Sequence, residues 1–142
     1  MNKNIYEMEI ILLSTYCDIA LDILKKHKNL SVNKVITFSY IIKKNKYMNS
    51  SIYNASNKND LVLKCLSQLN GLFDDYCENI QYIIGAIHLL IENKKISEVL
   101  GELIYIETSE IVIVDNSFIN NAIKESKKYS DKQFLKEVVR SV

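Results

Sequence analysis

The sequence predicts an α+β fold, mostly helical, with a winged-helix-like core, a small antiparallel β wing and C-terminal helices. Three observations predict it. Apolar residues recur at helical spacing through residues 5–42 and again through 60–92. The pattern then changes to short β-branched and aromatic runs between Ile96 and Val114. Helical patterning, now with cap signals, returns from Phe118 to the end.

Residues 5–27 carry Ile5, Met8, Leu12, Tyr16, Ile19 and Ile23 at helical intervals, which predicts a long first helix. Lys25, Lys26, His27 and Lys28 close it, where positive charge complements the helix dipole. Asn29-Leu30-Ser31 reads as a break, and Ser31 as the cap of a second helix that carries Val32, Val35, Ile36 and Tyr40 and fades near Ile42. Residues 43–59 have no clear period and read as a long polar loop. Asp60 reads as the cap of a third helix with Val62, Cys65, Leu66, Leu69 and Leu72/Phe73 on its apolar face, shortened by Asn70-Gly71. A fourth helix over 74–92, with Ile80, Ile83, Ile84, Ile87, Leu90 and Ile91, has the strongest apolar stripe of the chain.

Leu100-Gly101-Glu102 then reads as a turn, and 96–107 as the wing. Leu103–Glu107 and Glu110–Val114 read as strands about Thr108-Ser109. Asp115-Asn116-Ser117 is a cap cluster before a helix from Phe118, and Ser130 with Gln133 has capping-box spacing for a last one. The expected organisation is a winged-helix-like domain over 1–115 and a helical extension over 116–142, packed on it or on a partner.

Composition narrows the function classes. The 142 residues suit one domain, and a chain of this length buries enough surface to need neither disulfide nor metal. Basic and acidic residues number 18 and 17, for a net charge of +1, without the basic excess of a general polyanion binder. The single Arg, Arg140, leaves little capacity for guanidinium forks on guanine or phosphate. Cys17, Cys65 and Cys77 fit no metal or redox spacing and read as small buried hydrophobes in a reducing cytoplasm. Neither a signal peptide nor a membrane span is expected.

Catalytic signals are weak, and an enzyme is not expected. There is no Gly-rich phosphate loop, no GxSxG, no HExxH and no CxxC. His88 and Cys77 stand on one predicted helix, about 16 Å of rise apart, too far for a nucleophile pair. Asp74, Asp75 and Glu78 form the best carboxylate group, and a helix N-terminus accounts for it. No cofactor, metal or small-molecule substrate is expected; a small enzyme acting through Asp75 or His88 is the least favoured class.

A winged helix raises the question of DNA. Lysines cluster at 25/26/28, 43/44/46, 94/95 and 124/127/128, and Lys94-Lys95 at the start of the wing are the candidate nucleic-acid contacts. Yet the helix placed to enter a groove, Glu78 to Glu92, has carboxylates and neither Lys nor Arg. Protein contact is therefore expected over DNA contact. Tyr47, Met48, Ile52 and Tyr53 in the polar loop, with Phe134 and Leu135 in the last helix, are the candidate partner-binding residues.

The stretch Val35-Ile36-Thr37-Phe38-Ser39-Tyr40-Ile41-Ile42-Lys43-Lys44, ahead of a polar loop, resembles the middle components of bacterial three-component ABC-ATPase conflict systems, including those of the Lamassu type. Tyr82 to Ile96, followed by Gly101-Glu102-Leu103-Ile104-Tyr105, is similar to their helix-then-wing core. The resemblance spans about residues 5–107 and lies in element order and hydrophobic texture, not in a diagnostic motif. It implies a cytoplasmic, non-enzymatic adaptor between an SMC-like ABC ATPase and an effector nuclease in antiphage defence, touching DNA only through the complex. The alternative is a winged-helix transcriptional regulator.

Overall fold

The structure is a computed structural model that describes residues 3–44, 58–107 and 117–142. Its elements run α1 (Lys3–His27), β1 (Asn29–Ser31), α2 (Val32–Lys44), α3 (Lys58–Leu66), a 3-10 turn (Ser67–Leu69), α4 (Phe73–Glu92), β2 (Ile96–Val99), β3 (Glu102–Tyr105), α5 (Phe118–Ser126) and α6 (Asp131–Ser141). The fold is α+β and mostly helical, as the sequence predicts, with one three-stranded antiparallel sheet and two C-terminal helices.

α2 occupies the middle. Every residue from Lys34 to Ile41 is buried, which no amphipathic surface helix achieves. Helices α1, α4, α5 and α6 surround it. Its N-terminus is capped as expected, with the Lys34 amide donating to Ser31 Oγ at 3.4 Å. The same Ser31 ends a strand. The segment read as a break, Asn29-Leu30-Ser31, is β1, and it pairs antiparallel with Glu102–Ile104. Three residues are too few to show a strand period, so only the pairing partner reveals it.

The sheet order is β1-β3-β2. Leu30, Ile96 and Leu103 face the helices and are buried. The β2–β3 hairpin turns through Leu100 (φ 50°) and Gly101 (φ 81°). Two consecutive left-handed residues make the turn whose twist suits a two-residue hairpin. The Val32 amide donates to Gly101 O at 2.9 Å, fixing the hairpin end against the start of α2.

Four boundaries show how local chemistry acts. α3 begins at Lys58, so Asp60 lies inside the helix rather than at its cap. Asn70 and Gly71 form a turn, with Gly71 at φ 79°, and end the third helical stretch as expected. Ser117 caps α5, and Ser130 with Gln133 completes the expected capping box of α6. α4 ends in a Schellman motif: the Lys94 amide donates to Ile91 O and the Lys95 amide to Leu90 O, both at 3.0 Å, with Lys94 at φ 59°.

α5 and α6 pack on α2 and α3. Phe134 is fully buried, its ring centroid 5.5 Å from that of Phe38. The expected boundary at 115/116, the candidate residues Tyr47, Met48, Ile52 and Tyr53, and the expected strand 110–114 involve positions outside the described residues.

Candidate functional site

α4 presents one stripe to solvent. Phe73, Cys77, Gln81, Ile84, His88 and Glu92 follow at intervals of three and four, and all are exposed. On the wing, Glu98, Val99 and Leu100 are exposed too, Leu100 at 98%. Between helix and wing lies an open hollow of about 200 Å³, lined by Ile84, Ile87, His88 and Ile91 of α4, Val32 of α2, and Glu98 and Leu103. Its walls are apolar, with Glu98 at the rim. None of these residues is Lys or Arg, so a phosphate approaching here meets carboxylates.

The lysines lie elsewhere. Lys94 and Lys95, the candidate nucleic-acid contacts, line a second hollow of about 290 Å³ with Leu21 and Lys25 of α1, Tyr105 and Ile106. Lys28 Nζ stands 5.6 Å from the centroid of the Tyr105 ring, a cation–π contact. Lys28 and Lys94 both hold left-handed backbone where their helices end (φ 72° and 59°). The C-termini of α1 and α4 thus converge on one basic corner, where their dipoles favour the lysines. Sequence clustering identifies Lys25/Lys26/Lys28 and Lys94/Lys95 separately; the fold gathers Lys25, Lys28, Lys94 and Lys95 about Tyr105.

A polar network anchors the start of α4. Tyr40 Oη donates to Asp75 Oδ2 at 2.6 Å, and Lys44 Nζ lies 2.8 Å from the same oxygen. Tyr16 Oη donates to Asn79 Oδ1 at 2.8 Å, and Asn79 Nδ2 to Asp75 O at 2.7 Å. The Lys44 ammonium, then the Tyr40 hydroxyl, hold the Asp75 carboxyl below its ordinary range. Burial, then the Asp75 charge, pushes Tyr16 well above the ordinary phenol value. These shifts keep Asp75 ionised and Tyr16 neutral, which suits tying α1, α2 and α4 together. Burial also pushes the Cys65 thiol up to about 12, so it is a core side chain without thiolate character. Among the described residues, no group of three or more His, Cys, Asp or Glu is placed to hold a metal ion. No helix among them is long and apolar enough to cross a membrane.

The other candidate partner residues divide. Phe134 faces the chain's own core, so its assignment to a partner is corrected: the aromatic wall of Phe38 claims it. Its neighbour Leu135 is exposed.

A surface that sequence reasoning missed is the first half of α1. Ile5, Tyr6, Met8, Ile10 and Ile11 are all exposed, Met8 at 69%. The buried face of α1 is Tyr16, Ala20, Ile23 and Leu24, all from the second half. The periodicity that reads as one core stripe from Ile5 to Ile23 therefore has two destinations. Spacing shows a face; it does not show what covers it.

No protein-family model matches this chain, and no curated protein or solved structure matches it either.

Proposed function

We propose that the chain is a non-enzymatic adaptor that docks a protein partner on the face shared by α4 and the β2–β3 wing. One observation carries this reading: the apolar hollow between α4 and the wing, with Ile84 and Glu98 in its lining, has no Lys or Arg, and Val99 and Leu100 are exposed on the same wing. An apolar centre with a polar rim is the anatomy of a protein interface, and carboxylates there repel a nucleic-acid backbone. The winged-helix-like element order supports placing the working face here, by analogy with proteins that use the last helix and the wing. The sequence resemblance supplies the partners: an SMC-like ABC ATPase that senses foreign DNA and an effector nuclease held inactive until then. In this reading DNA is contacted only through the complex, in the cytoplasm.

Co-expression with the products of neighbouring genes tests it. The wild-type chain is expected to co-purify with an ATPase or an effector. Ile84→Asp and Val99→Asp are expected to abolish recovery while leaving the circular dichroism spectrum and melting curve of the isolated chain unchanged. Recovery of neither partner by a folded wild-type chain sinks the reading.

A second reading, a DNA-binding regulator, is favoured by the corner formed by Lys25, Lys28, Lys94 and Lys95. It requires sub-micromolar, sequence-specific binding to the chain's own promoter. That binding must weaken steeply with salt and with Lys94→Glu.

A further inference from the structure

The exposed half of α1 carries an ordered seam. Ile5, Met8, Leu12, Thr15 and Ile19 recur at intervals of three, four, three and four, the spacing of coiled-coil core positions. None is fully buried by the chain itself, and Ile5 and Met8 are exposed. Thr15 uses its hydroxyl within the helix, donating to Ile11 O at 2.8 Å. Its polar group is thus already satisfied. Ile5, Met8, Leu12 and Thr15 of the seam form one wall of an open groove of about 560 Å³, closed on the other side by Asp75, Glu78, Asn79 and Tyr82 of α4 and by Lys43 and Lys44 of α2.

We infer that this groove receives the same helix from a second copy of the chain, in an antiparallel pair about a two-fold axis near Leu12. Charge placement selects this occupant. In a heptad begun at Ile5, Glu9 and Tyr16 hold the same flanking position, one heptad apart. Tyr16 itself is buried, but Lys43 Nζ stands 5.9 Å from its ring centroid, so the cation occupies that flank. An antiparallel two-fold brings equivalent flanks together in reverse order. Glu9 of each copy then meets Lys43 of the other, twice per dimer. A parallel pair offers no such match, because Glu9 would face the position of Asn4. A two-fold interface must be complementary to itself, and an acidic end and a basic end on one flank meet that requirement. The paired length, residues 4–19, is about 24 Å of helix, several layers of seam. This surface is separate from the α4–wing face, so the resulting dimer presents two docking faces.

Sedimentation equilibrium of the full chain tests the inference independently of any partner. The expected result is a species of twice the 16.4 kDa chain mass at micromolar concentration. Met8→Glu is expected to weaken self-association about thirtyfold or more without lowering the melting temperature of the monomer. Glu9→Lys and Lys43→Glu each weaken it, and the two changes in one chain restore it. A monomer at 100 μM (as a probe concentration, roughly that of a weak encounter) overturns the inference, including where that monomer captures a different protein through α1. A dimer indifferent to Met8→Glu, or charge reversals that do not rescue each other, overturns the antiparallel seam. Loss of partner binding with the dimer intact bears on the adaptor reading alone.

Discussion

Tyr40 donates a 2.6 Å hydrogen bond to Asp75 Oδ2, the oxygen that Lys44 Nζ holds at 2.8 Å. The contact joins the end of the central helix to the first turn of α4. It makes Asp75 a structural carboxylate, although acidic pairs at a helix start also suit general acid–base chemistry. Tyr40 is fully buried and packs edge-on to Tyr76 at 5.1 Å, so its hydroxyl is held in place by the core.

Asp75→Asn is expected to lower stability by about 1 kcal/mol at pH 7, since the group is partly exposed and solvent screens the ion pair. Asp75 has a depressed carboxyl pKa in the folded state. Its contribution is therefore present above the unfolded value of about 3.9 and is lost as pH falls through the lower folded value. Urea unfolding of both proteins at pH 7, 4 and 3 checks this. The gap between them should narrow at the acid end; a constant gap means that the charge is not what stabilises.

Phe134 and Leu135 are neighbours with opposite surroundings. Phe134→Ala removes a ring packed at 5.5 Å from Phe38 and should cost about 3–5 kcal/mol. Leu135→Ala, on the exposed side of α6, should change stability by about 0.5 kcal/mol or less. Urea midpoints separate the two outcomes. Equal effects would mean that α6 does not dock through Phe134.

Helices, the wing turn and the caps other than Asp60, which lies inside α3, were legible because their signals are local. Ser130 with Gln133, Asn70-Gly71 and Leu100-Gly101 each act within a few residues, and each has the expected role. β1 was not legible, because Asn29-Leu30-Ser31 is a strand only through Glu102–Ile104, more than seventy positions away in sequence. Nor was the joining of Lys28 to Lys94 and Lys95, which depends on two helix ends meeting at Tyr105. The missing cations of α4 were legible from sequence. That Ile84 and Glu98 line one hollow required the fold.

His27 gives a second pH window. Its ring nitrogen Nε2 lies 3.0 Å from Asn120 Oδ1, and Lys127 Nζ donates to His27 O at 2.7 Å. Burial, aided by Lys127, Lys124 and Lys26 and opposed by the Asn120 contact, lowers its pKa below the ordinary value. With the folded value depressed, the unfolded chain takes up the proton first. Stability therefore falls as pH drops below the unfolded value of about 6.5. Urea midpoints of the wild type should decline between pH 7.5 and 5.5, and those of His27→Gln should decline less. This window lies above that of Asp75, so the two titrations separate. Parallel declines in both proteins would assign the loss to other groups.

Leu100 holds left-handed backbone at φ 50° while its side chain is 98% exposed. A bulky residue is strained there and gains nothing from packing within the chain. Asn is the residue that turn chemistry prefers before Gly101. Leu100→Asn should therefore raise stability by about 1 kcal/mol. An exposed leucine at a strained turn suits contact with a partner, in line with the proposed docking face. The same substitution should then weaken co-purification, so stability and binding move in opposite directions. Melting curves and pull-downs of one variant read both. A chain that becomes more stable and binds equally well would detach the wing tip from the docking face, leaving Ile84 and Val99 to carry it.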